Sequence, residues 1–322
     1  MKAAVLDQIG PPDVLRYDDI DDPAVRRGGI LLEVRAIGIQ GGDLINRREG
    51  QGLDQPHVVG YQASGVVREL GEGVTDFAVG QRVVAMMMKG SHAELASVSA
   101  RKVWAIPDTL SFEDAASVPV EFGTAADCLF EFGHLQPGES VLVQAGSGGV
   151  GLAAIQLAKA AGATVFSTSV ADGRLERLAD YGVDHGIDYT KTDVAAEVLR
   201  LTDGKGVDLV VDPIGGRTLE GSVAALAYRG RISWIGNAGR DANPPVIWPL
   251  MEKNGSLTAV FFAMEQSRQA QRTYDLIAGL ITRIGAGELR AVVDKSFALS
   301  DAAEAHRYVE TGLAFGRVLL IP

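Results

Sequence analysis

The sequence has one cysteine, a shortage of positive charge and no long apolar run, and each shortage narrows what the protein can be. Its 322 residues include only Cys128, which excludes an internal disulfide and any multi-cysteine zinc site. The formal net charge of −11, from 30 Lys and Arg against 41 Asp and Glu, argues against nucleic acid as a main partner. No apolar run reaches the roughly 18 residues that a membrane-spanning helix needs.

The amino terminus also lacks the pattern of a targeting segment. Residues 1–7 (MKAAVLD) predict a strand and contain no apolar h-region of a secretory signal. We therefore expect a cytoplasmic protein with no membrane partner. An apolar content of 47% and a charged content of 22% are typical of a globular protein, and the length favours two domains.

A glycine-rich loop stands near the centre of the sequence. Residues 141–143 (VLV) predict a buried strand, and the loop after them fits Gly-x-Gly-x-x-Gly. A helix pattern follows, then a second strand at 164–169. In this context the glycines allow a tight turn, close approach of a pyrophosphate and close helix packing, while the helix N-terminus faces the phosphates. The loop therefore predicts a dinucleotide site formed by Gly146, Ser147, Gly148, Gly149, Val150 and Gly151.

The two parts of the chain differ in the period of their apolar residues. Up to about residue 120, short strand candidates separated by turns favour a barrel-like β domain, and the acidic run at 18–23 (DDIDDP) is predicted as one of these turns. From 121, apolar strands alternate with helical patterns, which favours a parallel, doubly wound sheet. A helix at 269–284 and a strand at 316–321 follow, and that strand is placed to return to the first domain.

Five motifs together resemble the medium-chain dehydrogenase/reductase superfamily and, within it, the zinc-independent quinone oxidoreductases. They are the segments 36–43 (AIGIQGGD), 71–83 (GEGVTDFAVGQRV), 145–151 (AGSGGVG), 210–216 (VVDPIGG) and 230–236 (GRISWIG). The resemblance covers nearly the whole chain. It implies an α/β protein with a Rossmann doubly wound parallel sheet and a GroES-like β-barrel substrate domain.

The resemblance also implies how the chain is divided. Residues 1–120 are expected to form the substrate domain and residues 121–263 the NADPH-binding domain. Residues 264–322 are expected to return to the substrate domain, with the active site in the cleft between the domains.

The positions that bind zinc in metal-dependent relatives carry other residues here. In those relatives a cysteine and a His-Glu pair bind the catalytic metal, and the matching positions are Gln40, Tyr61 and Gln62. Amides and a phenol are not usual zinc ligands, so we expect an enzyme without metal. The five histidines are His57, His92, His134, His185 and His306, and their spacing is not that of metal ligands. They are expected mostly at the surface or in loops, with His57 and His92 as weaker candidates for residues of the cleft.

The resemblance implies NADPH as the cofactor. Ser169 stands where NAD-dependent relatives place an acidic residue, and a hydroxyl accepts the 2′-phosphate that a carboxylate repels. Arg174 offers a fork of donors to that phosphate, with a solvated helix charge as the alternative. Tyr189 matches a family tyrosine near the same phosphate. Asp172 either bonds a ribose hydroxyl or opposes the phosphate.

Further cofactor contacts are implied by matching positions. Thr124 is expected to hold the nicotinamide, or else to cap a helix. Gly236 and Asn237 follow a strand end and are expected to contact the nicotinamide side. Residues 260–262, which include Phe261, are expected to pack over the ring or the substrate, or else to join the core. Arg317 is expected to reach the cofactor or the cleft, or else to form an exposed ion pair.

Without zinc, hydride transfer needs hydrogen bonds that stabilise charge on the substrate oxygen. Candidate donors are Tyr61, Gln40 and Gln62, with Asp43 as an orienting or proton-relaying group, while a packed aromatic is the alternative for Tyr61. A quinone or a conjugated enone needs less of this help than an isolated ketone, because conjugation spreads the charge. The loop at 46–53 and the methionine segment at 86–90 are expected to shape the pocket.

The predicted function is therefore a zinc-free NADPH-dependent oxidoreductase acting on a quinone or an α,β-unsaturated carbonyl compound. The alternative is a redox-responsive regulator that binds NADPH with little turnover. A membrane-surface or assembly protein of the same fold is disfavoured by the acidic balance. The resemblance also suggests a homodimer, formed by pairing the edges of the nucleotide-domain sheets.

Overall fold

A computed structural model describes residues 1–51 and 53–322, so Gly52, in the predicted pocket loop at 46–53, lies outside the described residues. The described chain forms two compact units. Unit 1 contains Met1–Val120 and Gln269–Pro322, and unit 2 contains Glu121–Arg268. Unit 2 is therefore an insertion in the sequence of unit 1. None of the helices in the described residues combines the length and the apolar character that a membrane crossing needs.

The first part of unit 1 consists mostly of short strands joined by turns. Its elements are β1 (Lys2–Leu6), β2 (Arg16–Asp19), β3 (Gly29–Gly38), α1 (Gly41–Glu49), β4 (His57–Val58), β5 (Gln62–Leu70), β6 (Arg82–Met86), β7 (Leu95–Ser99), β8 (Val103–Ala105) and α2 (Phe112–Ala115). The turn prediction at 18–23 is wrong at its start, because Asp18 and Asp19 belong to β2 and pair with β1. All four residues of β2 are exposed, so this edge strand has no apolar pattern by which to recognise it.

Unit 2 alternates strands with helices. Its elements are α3 (Pro119–Ala126), which begins in unit 1, then β9 (Ser140–Val143), α4 (Gly149–Ala160), β10 (Thr164–Ser169), α5 (Arg174–Ala179), β11 (His185–Asp188), α6 (Val194–Leu201), β12 (Val207–Asp212), α7 (Gly216–Ala225), β13 (Leu226–Trp234), β14 (Ser256–Ala259) and α8 (Phe262–Arg268). The six strands form one parallel sheet in the order β11-β10-β9-β12-β13-β14. This order confirms the predicted doubly wound Rossmann sheet. Successive strands are added to one side of β9 up to β11 and to its other side from β12 onward, and such sheets bind ligands at this switch point.

The central strands of this sheet form because their side chains are apolar on both faces. Val141, Leu142 and Val143 of β9 are fully buried, as are Leu209 and Val210 of β12. A parallel strand covered by helices on both sides needs such a continuous apolar run. The same runs made these strands predictable from the sequence.

The last part of the chain completes the sheet of unit 1. Its elements are α9 (Ala270–Gly285), β15 (Val293–Ala298), α10 (Ala302–Glu310) and β16 (Arg317–Ile321). β16 lies antiparallel to β3, with Leu319 opposite Gly38 and Leu320 opposite Ile37. The sheet runs β15-β16-β3-β5-β6-β8 with β7 also paired to β3, and β2-β1-β4 form a second, smaller sheet. The buried core of unit 1 includes Val318 and Leu320 of β16.

Candidate functional site

The glycine-rich loop joins β9 to α4 at the carboxyl edge of the unit 2 sheet. A Cβ atom on Gly146 would lie 1.9 Å from Ser167 Oγ, and one on Gly151 would lie 2.4 Å from the Ala145 carbonyl oxygen. A Cβ atom on Gly148 would meet nothing closer than 3.4 Å. Packing within the chain therefore requires Gly146 and Gly151, whereas a Cβ atom on Gly148 would make only an ordinary van der Waals contact.

The first turn of α4 offers its backbone N–H groups to a ligand. Gly148 is the N-cap residue, and no side chain among the described residues caps this helix. The first N–H groups of a helix have no intrahelical acceptor, and they lie at the positive end of the helix dipole. An anion at this edge of the sheet would meet both, as the sequence motif predicts.

The conformation of the loop depends on β10, which the sequence motif does not reveal. Ala145 has φ of 54°, a left-handed conformation that residues other than glycine rarely adopt. Its N–H group donates to Thr168 Oγ1 at 3.0 Å, and the N–H of Gly146 donates to the Thr168 carbonyl at 2.9 Å. Thr168 is therefore a residue of the site that sequence reasoning missed.

The end of β10 carries the residues predicted to bind the 2′-phosphate. Ser169 is 3% exposed, and its Oγ has no hydrogen-bond partner within residues 1–51 and 53–322. Arg174, at the start of α5, donates from Nε and Nη2 to the two carboxylate oxygens of Asp172, each at 2.8 Å. The hydrogen bond from Arg174 lowers the pKa of Asp172. Arg174 is therefore paired with an exposed carboxylate, and its contact with a phosphate stays a prediction.

Other predicted cofactor residues follow strand ends on the same edge of the sheet. Tyr189 follows β11 and is 56% exposed, and Phe261 follows β14 and is 66% exposed. Gly236 and Asn237 follow β13, and Asn237 Nδ2 donates to the Asp241 carbonyl at 2.9 Å. Because carboxyl ends of parallel strands share one edge, unit 2 brings these residues to the side of the sheet that carries the glycine-rich loop. Their contacts with a cofactor stay predictions.

Thr124 does not lie at the start of a helix, which its alternative role as a helix cap would require. Thr124 is buried inside α3, which begins at Pro119, so it does not cap a helix. A π-helical turn follows at Asp127–Glu131, a feature often found at functional sites. Of residues 260–262, Val260 and Phe262 are buried and Phe261 is exposed, and the Phe262 ring lies 2.3 Å from where a Cβ atom on Gly123 would stand.

The three predicted catalytic residues meet at the start of α1 in unit 1. Gln40 is the N-cap residue, and its N–H group donates to Asp43 Oδ2 at 2.8 Å. Tyr61 lies against the first turn, because a Cβ atom on Gly42 would fall 2.8 Å from its phenol oxygen. Gln40 and Asp43 are buried, whereas Tyr61 is half-buried. One carboxylate oxygen of Asp43 thus stabilises the helix start, which favours an orienting role for this residue.

Two further predicted residues lie beside this helix start and bond to backbone groups. Arg317 Nη1 donates to the carbonyl of Ile39, the residue before Gln40, at 2.7 Å. Gln62 donates from Nε2 to the Ala116 carbonyl at 2.6 Å and accepts the Val120 N–H at 2.7 Å. Both ends of the Gln62 amide therefore hold the backbone, which favours a structural role over that of a substrate donor.

The histidines were expected mostly at the surface or in loops, and three of the five are buried, although one of these, His92, does lie in a loop. His57, His92 and His306 are buried, and Nε2 of His92 lies 3.0 Å from Nε2 of His306. One of the two rings must donate and the other accept, so the accepting ring is neutral. Burial lowers the pKa of His92 to about 3 and also lowers that of His306. The two rings belong to residues far apart in the chain, so no sequence spacing reveals the pair.

The two segments predicted to shape the pocket adjoin the predicted catalytic residues, since the Met87 N–H donates to the Tyr61 carbonyl at 2.9 Å and residues 46–49 belong to α1. Residues 86–90 line a cleft of about 670 Å³ together with residues 20–29 and 95–99, and the described lining includes none of Gln40, Asp43 and Tyr61. The loop predicted at 46–53 is wrong at its start, because residues 46–49 complete α1. Arg47 of this helix is fully buried and donates to the Gly10 carbonyl and to Glu310. Within residues 1–51 and 53–322, no group of three or more His, Cys, Asp or Glu side chains is arranged to hold a metal ion.

Comparison with known proteins gives two family matches, one in each part of the chain. Residues 26–108 match the family model of the alcohol dehydrogenase GroES-like domain, which confirms the predicted type of the first domain. Residues 149–278 match the family model described as zinc-binding dehydrogenase. The second match begins inside the glycine-rich loop.

Similarities to individual proteins extend over nearly the whole of this chain. The chain is 33% identical over 326 residues to a phenolphthiocerol/phthiocerol polyketide synthase of Mycobacterium tuberculosis, covering 99% of this chain but only 15% of that much longer relative. It is 32% identical to the 2-haloacrylate reductase of a Burkholderia species, over 99% of this chain and 98% of the relative. The structure of Escherichia coli quinone oxidoreductase complexed with NADPH matches with a TM-score of 0.93 at 27% identity, over 100% of both chains. The chain therefore belongs to the medium-chain dehydrogenase/reductase superfamily, among its quinone oxidoreductase-like members.

Proposed function

We propose that this chain is a zinc-free, NADPH-dependent oxidoreductase that transfers hydride to a quinone or an α,β-unsaturated carbonyl compound. The glycine-rich loop of unit 2 carries the proposal, because packing requires two of its glycines, while the third, Gly148, is not required by packing and is the N-cap residue of a helix. Such a start binds phosphate through its backbone N–H groups. The similarity to E. coli quinone oxidoreductase, whose structure contains NADPH, supports the choice of dinucleotide.

Ser169 and Arg174 are proposed to select NADPH over NADH. The buried Ser169 hydroxyl, which has no partner among the described residues, fits a ligand that brings its own hydrogen-bonding oxygen. A buried polar group without any partner is unfavourable, so a ligand that supplies one is favoured there. Arg174 supplies positive charge, but Asp172 holds its fork in the ligand-free chain. The 2′-phosphate would compete with the Asp172 carboxylate for Arg174.

Two variants test this selection. Arg174→Ala is expected to weaken NADPH binding about tenfold or more and to leave NADH binding unchanged, because a charge-assisted hydrogen bond to phosphate contributes about 1.5–3 kcal/mol. Asp172→Asn keeps the size of the side chain but removes the competing carboxylate, so it should tighten NADPH binding relative to NADH. Fluorescence titration with both cofactors measures each effect. Equal loss of both cofactors in Arg174→Ala would contradict the assignment.

The residues at the start of α1 are proposed to act on the substrate. Bound NADPH would supply the hydride, and the protein would orient the substrate and stabilise developing charge. Tyr61 carries a phenol beside the helix start and is the proposed hydrogen-bond donor to the substrate oxygen. A conjugated acceptor spreads the developing charge, so one such donor suffices. The relative named 2-haloacrylate reductase, whose name specifies a conjugated acid, supports this class of substrate.

The donor set at the start of α1 supports a mechanism without zinc. The residues at the three matching positions are two amides and a phenol, whereas zinc prefers thiolate, imidazole or carboxylate ligands. The Gln62 amide is already held by two backbone groups. The zinc-binding description of the matching family model therefore does not extend to these positions.

A spectrophotometric assay of cofactor oxidation tests the activity. NADPH or NADH would be supplied with 1,4-benzoquinone, 9,10-phenanthrenequinone and a panel of small enones, with and without a chelator. The proposal expects turnover that prefers NADPH and is insensitive to the chelator. Tight NADPH binding without turnover would favour the regulator instead, and loss of activity with the chelator would overturn the zinc-free assignment.

Tyr61→Phe tests the donor. We expect kcat to fall about tenfold or more, since positioned proton donors contribute at least this much. Tyr17→Phe is the matched control, because Tyr17 is an exposed phenol on β2 of the same unit. Equal activity of Tyr61→Phe and the control would leave Tyr61 a packed aromatic.

We also propose that the chain forms a homodimer through β14, and its cytoplasmic location stays a prediction. β14 is an edge strand of the described sheet, and two such edges can pair about a two-fold axis. Val246, Trp248 and Met251 are exposed apolar residues shortly before this strand. Light scattering after gel filtration measures the mass, and Trp248→Glu with Met251→Glu is expected to yield monomers. A wild-type monomer would overturn the dimer.

A further inference from the structure

Four buried side chains form a hydrogen-bonded chain beneath the glycine-rich loop. Thr168 Oγ1 accepts the Ala145 N–H at 3.0 Å and donates to Gln144 Oε1 at 2.8 Å. Gln144 Nε2 donates to Ser222 Oγ at 3.1 Å, and Ser222 Oγ donates to Asp212 Oδ2 at 2.8 Å. None of the four is more than 3% exposed. We call Thr168, Gln144, Ser222 and Asp212 the loop-support chain.

Asp212 sets the direction of every bond in the loop-support chain. Its carboxylate can only accept, and its Oδ1 takes the N–H groups of Ile214 and Gly215 at 2.8 and 2.9 Å. Ser222 therefore gives its proton to Asp212 and accepts from the Gln144 amide. The Gln144 oxygen then takes the proton of Thr168, which leaves the Thr168 oxygen free to accept from Ala145.

The loop needs this last bond because of the conformation of Ala145. A left-handed backbone at a residue other than glycine is unfavourable unless its surroundings hold it. The Ala145 carbonyl in turn accepts the Gly148 N–H at 3.0 Å and lies where a Cβ atom on Gly151 would clash. A shift of Ala145 would therefore displace the start of α4, where the free N–H groups lie.

We propose that Thr168, acting through the loop-support chain, is a positioning residue for dinucleotide binding. It holds the 145–151 backbone in the conformation that receives a pyrophosphate, and it does so without contact with the ligand. This inference rests on the proposed NADPH site. It further implies that the loops after β9 and β12 are coupled, because Asp212 bonds to the second loop and supports the first through three other side chains.

Removal of the Thr168 hydroxyl is the first test. Thr168→Val keeps the shape, and we expect the Kd for NADPH to rise about tenfold or more, because buried partners lose their hydrogen bonds. Thr168→Ser should restore binding. Ser233→Ala is the matched control, since Ser233 on β13 is equally buried and donates to the Cys128 carbonyl at 2.7 Å. This control should lower thermal stability without a change in Kd.

A double-mutant cycle with Asp212 separates positioning from general destabilisation. In Asp212→Asn, the amide oxygen keeps the Ile214 and Gly215 N–H groups, so the amide nitrogen faces Ser222 and one hydroxyl proton of the loop-support chain loses its acceptor. If both residues act through one chain, Thr168→Val with Asp212→Asn should raise the Kd no further than the worse single variant. Additive losses would overturn the inference, because independent sites add.

Amide hydrogen exchange of the ligand-free protein gives a readout that needs no cofactor. We expect Thr168→Val to speed exchange at Ala145 and Gly146 while Thr258 on β14 is unchanged. If the wild-type protein binds neither NADPH nor NADH, the proposed function fails, and the exchange rates alone decide whether Thr168 holds the loop. If the wild-type protein binds NADPH and Thr168→Val binds it with an equal Kd, the positioning role is overturned while the proposed function stands.

Discussion

Both units bury polar side chains, but the two buried clusters are built in opposite ways. In the loop-support chain of unit 2, hydrogen bonds join the four side chains in an unbroken series, and the final acceptor is the Asp212 carboxylate. In unit 1, His92, His306 and Arg47 form a cluster in which His306 Nδ1 and Arg47 Nη1 are buried without a partner among the described residues. A complete network makes a structure rigid, whereas an incomplete one is sensitive to conditions that change its charge.

The difference indicates separate tasks for the two clusters. The unit 2 cluster lies directly beneath a loop that is proposed to bind a ligand, so its value lies in precise position. The unit 1 cluster joins the carboxyl end of α1 to α10 and to the segment before β7. It contains buried imidazoles, and burial disfavours their charged form. We therefore expect unit 1 to be the part of the protein that responds to acid.

Acid should produce the largest difference between the units. Burial lowers the folded-state pKa of His92 to about 3 and also lowers that of His306, so below pH 6.5 the unfolded chain binds protons that the folded chain does not. Stability is present at neutral pH and is lost as the pH falls, by about 1.4 kcal/mol per pH unit for each histidine. Hydrogen exchange resolved by peptide at pH 7, 6 and 5 should show this loss in unit 1.

A variant with both His92→Gln and His306→Gln should lose most of this pH dependence, even though it is less stable at pH 7. His134→Gln is the control, because His134 is exposed in a loop of unit 2. An unchanged slope in the double variant would contradict the assignment to the histidine pair.

Loss of the carboxylate beside Arg47 should produce the next largest effect. Arg47 Nη2 donates to Glu310 at 2.5 Å, and Arg47 is fully buried. Glu310→Ala leaves a buried guanidinium without its counter-charge, which we expect to lower the free energy of unfolding of unit 1 by about 3 kcal/mol. Urea titration measures the change, and Glu304→Ala, a carboxylate on the same helix, should change it by no more than about 0.5 kcal/mol. Similar losses in both variants would show that the ion pair contributes little.

A break in the loop-support chain should have a smaller effect that does not depend on pH. Ser222→Ala leaves Gln144 Nε2 and Asp212 Oδ2 without their bonds, at an expected loss of about 2 kcal/mol. The loop-support chain contains no histidine, so the loss should be equal at pH 7 and pH 6. Exchange rates of unit 2 peptides measure it, and a loss that grows as the pH falls would remove the contrast between the clusters.

The smallest effect is expected at Cys128, where the native protein should show almost no reaction. Burial raises the pKa of this thiol, and a protonated, inaccessible thiol is a poor nucleophile. The rate of reaction with a disulfide reagent at pH 7 and pH 5 therefore reports the opening of unit 2 alone. Rapid reaction of the native protein at pH 5 would show that acid opens unit 2 as well.

The sequence predicted those features that depend on neighbouring residues. The strand at 207–212, the glycine-rich loop and the helices after each strand have apolar periods or turn residues that act locally. The parallel, doubly wound arrangement was also predictable, because the alternation of strands and helices restricts the topology strongly. The family resemblance supplied the candidate residues at the carboxyl edge.

The features that were not predicted depend on residues far apart in the chain. His92 and His306 form a pair across 214 positions, and Gln144 meets Ser222 across 78. No periodic pattern records such contacts. β2 was missed for a different reason, since an exposed edge strand buries no apolar face. The helix cap considered as the alternative for Thr124 is wrong because α3 begins earlier, at Pro119.

The insertion of unit 2 within unit 1 has a consequence for the order of synthesis. All six strands of the parallel sheet lie between Ser140 and Ala259, so that sheet can be complete before β16 has been made. The carboxyl end of β3 pairs with β16. This part of β3, which is synthesised early, therefore stays without its partner strand until almost the whole chain has been synthesised. We therefore expect unit 2 to fold first during translation, while part of β3 has an unpaired edge until β16 is synthesised. Ribosome-bound chains that stop before residue 316 should accordingly resist protease in unit 2 and be cleaved in unit 1.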